Sequence, residues 1–302
     1  TDNEMVAEEA AKGIEEAVSS SQMGGPGAFM AIGAGGDPPG TLGNRNTVGR
    51  HQAVGDYGGS RASESAVEAA LRWFAWHQSP NGQWDVDGYP QNCEQPGQKC
   101  EPGQGHTNLS GDVAVTGYAV LCYLGAGYDH RRPNKWRHVV QGGIEWLLAT
   151  QKPDGLIGKR NYEHPVATMA LAEAYAMTND PKLREPAQKG IDVILKRQTK
   201  LDDGYPIGWN YTNPSVERND SSVTGWNVMA LKSAKAGNLD VGQGLEGSKR
   251  WLEGAWKAAN PNWQQLGSEG ESGFPYVWNA KANTARGMPH RASIGALAAV
   301  FL

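Results

Sequence analysis

Four helix-sized segments of the chain begin with an ionisable residue at the same relative position. They begin at Asp112, His164, Asp220 and His290, at intervals of 52, 56 and 70 residues, and the first three carry Thr four residues later. Repetition along a chain indicates stacked supersecondary units, each of which buries its apolar face against its neighbours. The repeat therefore predicts a domain built from similar helical units.

A second type of helical segment alternates with the first. These segments carry Lys, Arg and Glu along one face, which is typical of half-solvated outer helices. The segments that begin with ionisable residues are almost uncharged and rich in Ala, Gly and Leu, which predicts buried inner helices. The predicted outer helices are 65–78, 141–151, 185–198 and 245–256, and the predicted inner helices are 112–125, 164–177, 220–234 and 290–302.

The turn after the first outer helix carries a recognisable motif. Residues 78–84 read QSPNGQW, which matches the Gln-x-x-x-Gly-x-Trp turn (the QW motif) of squalene and terpene cyclases, and two degraded copies follow. Over residues 65–302 the chain resembles that family and the related protein prenyltransferase β-subunits. The acidic Gly-rich lead-in, the CEQ…C loop, LREP (183–186) and SVTGWNVMALKSA (222–234) resemble bacterial cyclase-repeat proteins of the planctomycete type. The resemblance implies an all-α fold, an α/α toroid in which an inner ring of helices is wrapped by an outer ring.

Three regions are expected along the chain. Residues 1–20 have helical spacing and high acidity, which predicts a short helical arm, and residues 21–64 are rich in Gly and Pro, which predicts irregular loop. Residues 65–302 contain about four helix pairs. Toroids of this family usually have more than four helix pairs, so four pairs would form only part of a ring. In a partial ring the N-terminal segment would fill the gap, and it also offers a surface for a protein partner.

Charge and hydropathy exclude two classes of partner. The net charge is −4 and there is no Lys/Arg cluster, which argues against binding to nucleic acid or to an anionic membrane surface. No apolar run reaches the roughly 18 residues that a transmembrane helix requires, so no transmembrane segment is expected.

Two of the three cysteines lie in one Pro/Gly/Gln-rich loop. Cys93 and Cys100 favour a local disulfide, and hence an extracytoplasmic location, although a cytoplasmic one stays open. The alternative for this loop is a metal clip formed by Cys93, Cys100 and His106. Cys122 lies among apolar residues in the middle of a helix and is expected in the core.

In a toroid the starts of the inner helices share one rim, so Asp112, His164, Asp220 and His290 would converge there beside Arg291. One interpretation is N-capping, which explains the two Asp but not the two His, because the helix dipole disfavours a cation at that end. The other is a catalytic His/carboxylate site, in which nearby carboxylates would raise the pKa of each histidine.

A divalent metal, zinc or calcium, is a candidate cofactor of this rim. Asp220 and His290 match by position two of the zinc ligands that the resemblance to prenyltransferases implies. No Cys follows Asp220, however, so the thiolate that makes such a zinc an alkylation site is absent.

Aromatic residues near the rim are candidate substrate contacts, because flat rings stack on sugars or shield carbocations. The resemblance implies an isoprenoid ligand, but the Asp-x-Asp-Asp acid motif of the cyclases is absent. The sequence thus predicts a ligand-binding or enzymatic toroid. The alternatives are a polysaccharide lyase-like or carbohydrate-binding toroid and a non-catalytic extracytoplasmic interaction or structural module. The candidate substrate contacts are Tyr118, Trp209, Tyr211, Trp226, Tyr276 and Trp278.

Overall fold

The computed structural model describes residues 42, 45, 54, 58–97, 99–101, 111–261 and 273–287. This part of the chain is mostly helical, which confirms the predicted all-α class. Its elements are α1 (Arg61–Trp76), a 3-10 helix (Tyr89–Asn92), α2 (Asp112–Gly125), α3 (Arg137–Thr150), α4 (Glu163–Thr178), α5 (Pro181–Lys196), β1 (Asn219–Asp220), α6 (Ser221–Ala236), α7 (Gly244–Ala259), β2 (Val277–Asn279) and β3 (Thr284–Arg286).

Three predicted segments lie wholly or mostly outside the described residues: the acidic arm 1–20, the loop segment 21–64 and the inner helix 290–302. Helix α1 begins four residues before the predicted domain start. The reason is a capping box, in which Ser60 Oγ accepts the Ser63 N–H (3.1 Å) and Ser63 Oγ accepts the Ser60 N–H (2.9 Å).

The two types of helix differ in burial as the sequence predicts. Helix α4 packs between α2 and α6 and buries 13 of its 16 residues, whereas α5 buries six of its 16. Helices α2, α4 and α6 are therefore the inner helices, and α1, α3, α5 and α7 are the outer ones. We call α1 with α2 the first unit, α3 with α4 the second, and α5 with α6 the third.

The three inner helices begin at the same end of the molecule. A β-carbon on Gly158, in the loop before α4, would lie 3.4 Å from Val113 near the start of α2. Asn161 lies just before α4, and its N–H donates to the Tyr211 carbonyl in the loop before α6 (2.7 Å). Farther along, a β-carbon on Gly117 would lie 3.0 Å from Val166, so α2 and α4 run side by side.

Glutamines tie each outer helix to the next one. In each unit the side-chain amide at the end of the outer helix donates one hydrogen bond into its own turn and another to a carbonyl of the following outer helix. The pairs of acceptors are Gly82 (2.8 Å) and Val139 (2.9 Å) for Gln78, Gly155 (3.0 Å) and Pro186 (2.9 Å) for Gln151, and Ile207 (2.6 Å) and Gly244 (3.0 Å) for Gln198.

The glycines of the first two turns are required by both backbone and space. Gly82 and Gly155 have φ of +96° and +90°, which L side chains rarely adopt. A β-carbon would also lie 2.2 Å from the Gly142 carbonyl oxygen or 2.4 Å from that of Lys189, respectively. Each turn is therefore pressed directly onto the backbone of the next outer helix.

A small antiparallel sheet of order β1-β2-β3 closes the described part of the chain. Its register pairs Asn219 with Trp278, which holds residues 273–287 against the start of α6. Among the helices described, none combines the length and apolarity that crossing a membrane would need.

Candidate functional site

In the first and third units, a threonine of the inner helix binds the loop that follows the outer helix. The Trp84 N–H donates to Thr116 Oγ1 (2.9 Å), and the Trp209 N–H donates to Thr224 Oγ1 (3.0 Å). Both threonines are fully buried. Because a buried N–H without a partner is costly, these hydroxyls stabilise the connection between turn and inner helix.

In the second unit this connection is made by His164. The Ile157 N–H donates to His164 Nδ1 (3.1 Å), while His164 Nε2 lies 2.9 Å from the Gly190 carbonyl oxygen of α5. A carbonyl oxygen only accepts, so Nε2 carries the hydrogen and Nδ1 is the acceptor. Thr168, which occupies the repeat position of the other threonines, has its Oγ1 3.5 Å from His164 Nε2.

His164 is neutral in the folded protein. Burial lowers its pKa to about 4, against an opposing effect of the hydrogen bond with Gly190. The positive charge of Arg197 also lowers the pKa, whereas the hydrogen bond with the Ile157 N–H and the charge of Asp154 raise it. The expectation of a raised pKa is therefore wrong for His164, because loss of hydration outweighs any carboxylate nearby.

The two rim aspartates bind backbone in different ways. Asp220 is fully buried and caps α6, since its Oδ1 accepts from the N–H of Ser222 (3.0 Å) and Val223 (3.2 Å). Asp112 is not a cap, because Gly111 occupies that position. Its Oδ1 instead accepts from the Val86 N–H (3.0 Å).

Glu163, rather than His164, does in the second unit what Asp112 does in the first. Its Oε2 accepts from the Lys159 N–H (3.0 Å), and Lys159 follows Ile157 by two residues as Val86 follows Trp84. Glu163 precedes His164, the residue aligned with Asp112, by one position. Its side chain has one methylene group more than Asp, which lets the carboxylate reach the loop.

Asp220 has little capacity left for a metal. Its Oδ1 also accepts from Ser222 Oγ (2.7 Å), and its Oδ2 lies 3.4 Å from Arg218 Nη2. The other predicted metal ligand, His290, and its neighbour Arg291 lie outside the described residues. Of the predicted Asp220–His290 metal pair, the structure thus describes only Asp220, and both of its carboxylate oxygens already have hydrogen-bond or ion-pair partners.

Four of the six predicted substrate contacts form two pairs. The rings of Tyr118 on α2 and Trp226 on α6 meet edge to face, with centroids 5.1 Å apart. The hydroxyls of Tyr211 and Tyr276 lie 2.6 Å apart, and Tyr162 stacks on Tyr211 with centroids 6.4 Å apart. We call these five residues the aromatic cluster. All of its rings are partly exposed.

Shifted pKa values connect the aromatic cluster to the rim. Burial, with a smaller contribution from Tyr162, raises the pKa of Tyr118 to about 12. The hydrogen bond with Tyr211 raises the pKa of Tyr276 to about 12, and burial and the charge of Asp220 add to this. Both phenols are therefore protonated near neutrality and able to donate hydrogen bonds.

The remaining two predicted contacts are structural. Trp209 is fully buried, and its indole N–H donates to the Ile194 carbonyl at the end of α5 (2.8 Å). Trp278 is also buried, against Gly254 of α7, where a β-carbon would lie 2.4 Å from its ring. Neither ring can stack on a ligand without leaving the core.

The cysteine loop differs from its prediction. Cys93 and Cys100 are free thiols, so the expected disulfide is absent from the structure. Their sulfurs lie within 4.8 Å of each other and of His77 Nε2, whereas a disulfide requires about 2.05 Å. The sequence argument for an extracytoplasmic location depends on that disulfide, so the location stays a prediction.

Two further expectations for cysteines and histidines are changed. The core position expected for Cys122 is wrong: Cys122 is exposed, one turn after Tyr118 on the less buried face of α2. His106, the third ligand of the predicted metal clip, lies outside the described residues. His77 instead lies beside the two loop cysteines, although it is 16 residues from Cys93 in sequence. Only its place before the Gln78 turn could have drawn attention to it.

The described site thus consists of three inner-helix starts whose polar groups bind backbone, with the aromatic cluster beside them. Its rings come from two inner helices and from the loops before α4, α6 and β2. Comparison of the sequence with known protein-family models finds no match, and comparison with curated proteins finds no significant relative.

Proposed function

We propose that the chain is an α/α-toroid domain that binds a carbohydrate at its aromatic cluster. Three features support the toroid: the inner helices pack side by side, they begin at one end, and each outer helix is tied to the next by a glutamine. The QW turn of residues 78–84 agrees with this architecture.

The observation that carries the proposal is the contact between Tyr118 and Trp226. These residues hold corresponding positions in two units, each two residues after the inner-helix threonine. Their rings meet although α4 separates their helices, and both remain partly exposed. Partly exposed aromatic rings that converge from separate elements are typical of a ligand contact surface.

Polar groups beside the rings favour a carbohydrate over an isoprenoid. The hydroxyls of Tyr211 and Tyr276 belong to partly exposed residues, and the Arg218 guanidinium lies 5.6 Å from the Tyr211 ring centre with 45% of its side chain exposed. Sugar rings combine C–H faces, which pack on aromatic rings, with hydroxyls that need such partners. An isoprenoid chain would cover these partly exposed polar groups without offering them hydrogen bonds in place of water, at a cost in binding free energy.

Binding without catalysis fits the rim residues that the structure describes. His164 is neutral and uses both ring nitrogens in hydrogen bonds, and Asp220 is occupied as a helix cap. A general acid or base must instead reach the substrate proton within hydrogen-bond distance.

A binding screen tests the proposal. We expect the purified chain to bind one class of soluble oligosaccharide on a glycan array, with confirmation by isothermal titration calorimetry. Trp226→Ala and Tyr118→Ala should each weaken that binding by about tenfold or more, because each removes a stacking contact worth about 1.4 kcal/mol.

The matched control is Tyr205→Ala, which removes a half-buried ring on the turn after α5. That variant should bind with unchanged affinity. Binding of an isoprenoid diphosphate with no response to any oligosaccharide would contradict the carbohydrate. Oligosaccharide binding that survives both cluster variants would place the site elsewhere.

A further inference from the structure

Three potential metal ligands converge where α1 ends. His77 Nε2, Cys93 Sγ and Cys100 Sγ all lie within 4.8 Å of one another, and His77 Nε2 is 3.1 Å from Cys100 Sγ. His77 is fully buried, Cys93 is 9% exposed and Cys100 is half-buried. In the described part of the chain, no other group of three His, Cys, Asp or Glu side chains is close enough to hold an ion.

The orientation of His77 leaves its Nε2 free to bind a metal. His77 Nδ1 lies 2.6 Å from the Trp73 carbonyl oxygen, which can only accept, so Nδ1 carries the hydrogen. The lone pair on Nε2 then faces Cys100 Sγ, 3.1 Å away, and Cys93 Sγ lies within 4.8 Å. Trp73 also stacks on the imidazole, with ring centroids 4.0 Å apart, and this fixes the ring plane. A histidine ligand held by a carbonyl at its other nitrogen is the usual arrangement around protein-bound metals.

We propose that His77, Cys93 and Cys100 form a binding site for a zinc ion. Zn–S bonds of about 2.3 Å and Zn–N bonds of about 2.1 Å place tetrahedral ligand atoms about 3.5–3.8 Å apart. The three ligand atoms here all lie within 4.8 Å of one another, so movements of about 1 Å or less bring them to these distances, and water takes the fourth position. Two thiolates and one imidazole are the donor set that zinc favours over calcium or magnesium.

A zinc ion here would fasten a long loop to the helical body. Between α1 and α2 the described residues form only a four-residue 3-10 helix, and hydrogen bonds join this segment to the end of α1. The Glu94 N–H donates to the Trp76 carbonyl (3.1 Å), and Asn92 Nδ2 donates to Ser79 Oγ (3.0 Å). Because zinc affinity is expressed as folding free energy, the ion would stabilise this loop directly.

Cobalt titration tests the site on the full chain, kept reduced and stripped of metal with a chelator. We expect one equivalent of Co²⁺ to produce a thiolate-to-cobalt charge-transfer absorption band, and Zn²⁺ to displace it. Cys93→Ser and Cys100→Ser should each weaken Zn²⁺ binding by more than about 100-fold, since losing a ligand costs more than losing its outer-shell support.

Cys122→Ser is the matched control, because Cys122 is the remaining cysteine and is exposed on α2. It should bind Zn²⁺ like the parent chain. A measurement without variants is the thermal midpoint of the parent chain, which should rise with added Zn²⁺ as binding stabilises the folded state. Absence of the cobalt band in the reduced parent chain, or equal losses in Cys122→Ser and Cys100→Ser, would overturn the site.

Discussion

The second unit joins its loop to its inner helix with different residues from those used in the first and third units. In all three, the loop after the Gly turn offers a backbone N–H to the inner helix. Thr116 and Thr224 accept it through a hydroxyl, whereas His164 accepts it through an imidazole nitrogen and also reaches the Gly190 carbonyl of the outer helix α5. The imidazole therefore joins three segments where each threonine joins two.

This difference explains why a histidine is present at an inner-helix start. As an N-cap it would be a poor choice, and as a proton shuttle it would need a pKa near neutrality. Buried and neutral, it works as a rigid spacer with one donor and one acceptor. The comparison teaches that an ionisable residue at a repeated position is informative about packing before it is informative about chemistry.

The largest effect should come from removing the imidazole. His164→Ala leaves the Ile157 N–H and the Gly190 carbonyl without partners and opens a cavity, so the free energy of unfolding should fall by about 4 kcal/mol. Urea denaturation followed by circular dichroism measures this. A loss no greater than that of Thr116→Ala would show that the two connections are equivalent after all.

Lowering the pH should reduce the stability that His164 gives to the second unit, whereas the threonines of the other units do not titrate. The pKa of His164 is about 4 when folded and 6.5 when unfolded, so the unfolded chain binds the extra proton as the pH falls below 6.5. Stability from this residue is therefore complete above pH 6.5 and decreases towards pH 4, by about 2.5 kcal/mol at pH ~4.5.

His164→Gln provides the comparison, because its amide keeps a donor and an acceptor but does not titrate. Urea midpoints of both proteins at neutral and acidic pH give the difference in stability. The parent chain should lose its advantage over the variant as the pH falls. A difference that stays constant with pH would contradict the buried, neutral histidine.

Three matched threonine substitutions should give the smallest effects and the sharpest ranking. Thr116→Val and Thr224→Val each leave a buried N–H unpaired and should cost about 2 kcal/mol. Thr168→Val removes only a 3.5 Å contact with His164 and should cost less than about 0.5 kcal/mol. Unfolding free energies of the three variants test this order. Equal costs at all three positions would mean that the histidine does not replace the threonine.

Most helices were predictable because local signals mark them. The predicted inner helix 112–125 has the bounds of α2, and the predictions 164–177 and 220–234 differ from α4 and α6 by one or two residues at each end. The outer helices were predicted less well, since α1, α3 and α5 each begin four residues before the predicted start. Apolar spacing marks each helix body and the Gly turns mark the ends. The start of α1 was missed because the apolar pattern begins at residue 65, whereas the capping box at Ser60 extends the helix upstream.

The site was less predictable because its contacts join distant parts of the chain. Alignment of segment starts pairs His164 with Asp112, but in space Glu163 performs the role of Asp112. The aromatic residues were identified by type, yet only the packing separates the partly exposed Trp226 from the buried Trp209. His77 has no sequence signal that relates it to Cys93, because the fold of the loop alone brings them together.

Each glutamine amide donates one hydrogen bond to its own turn and one to the following outer helix. Sliding one unit along its neighbour would therefore break these hydrogen bonds. These bonds set the position of each outer helix relative to the next one. Evolution can lengthen or shorten such a protein by whole helix pairs, since every added pair brings its own glutamine and its two hydrogen bonds.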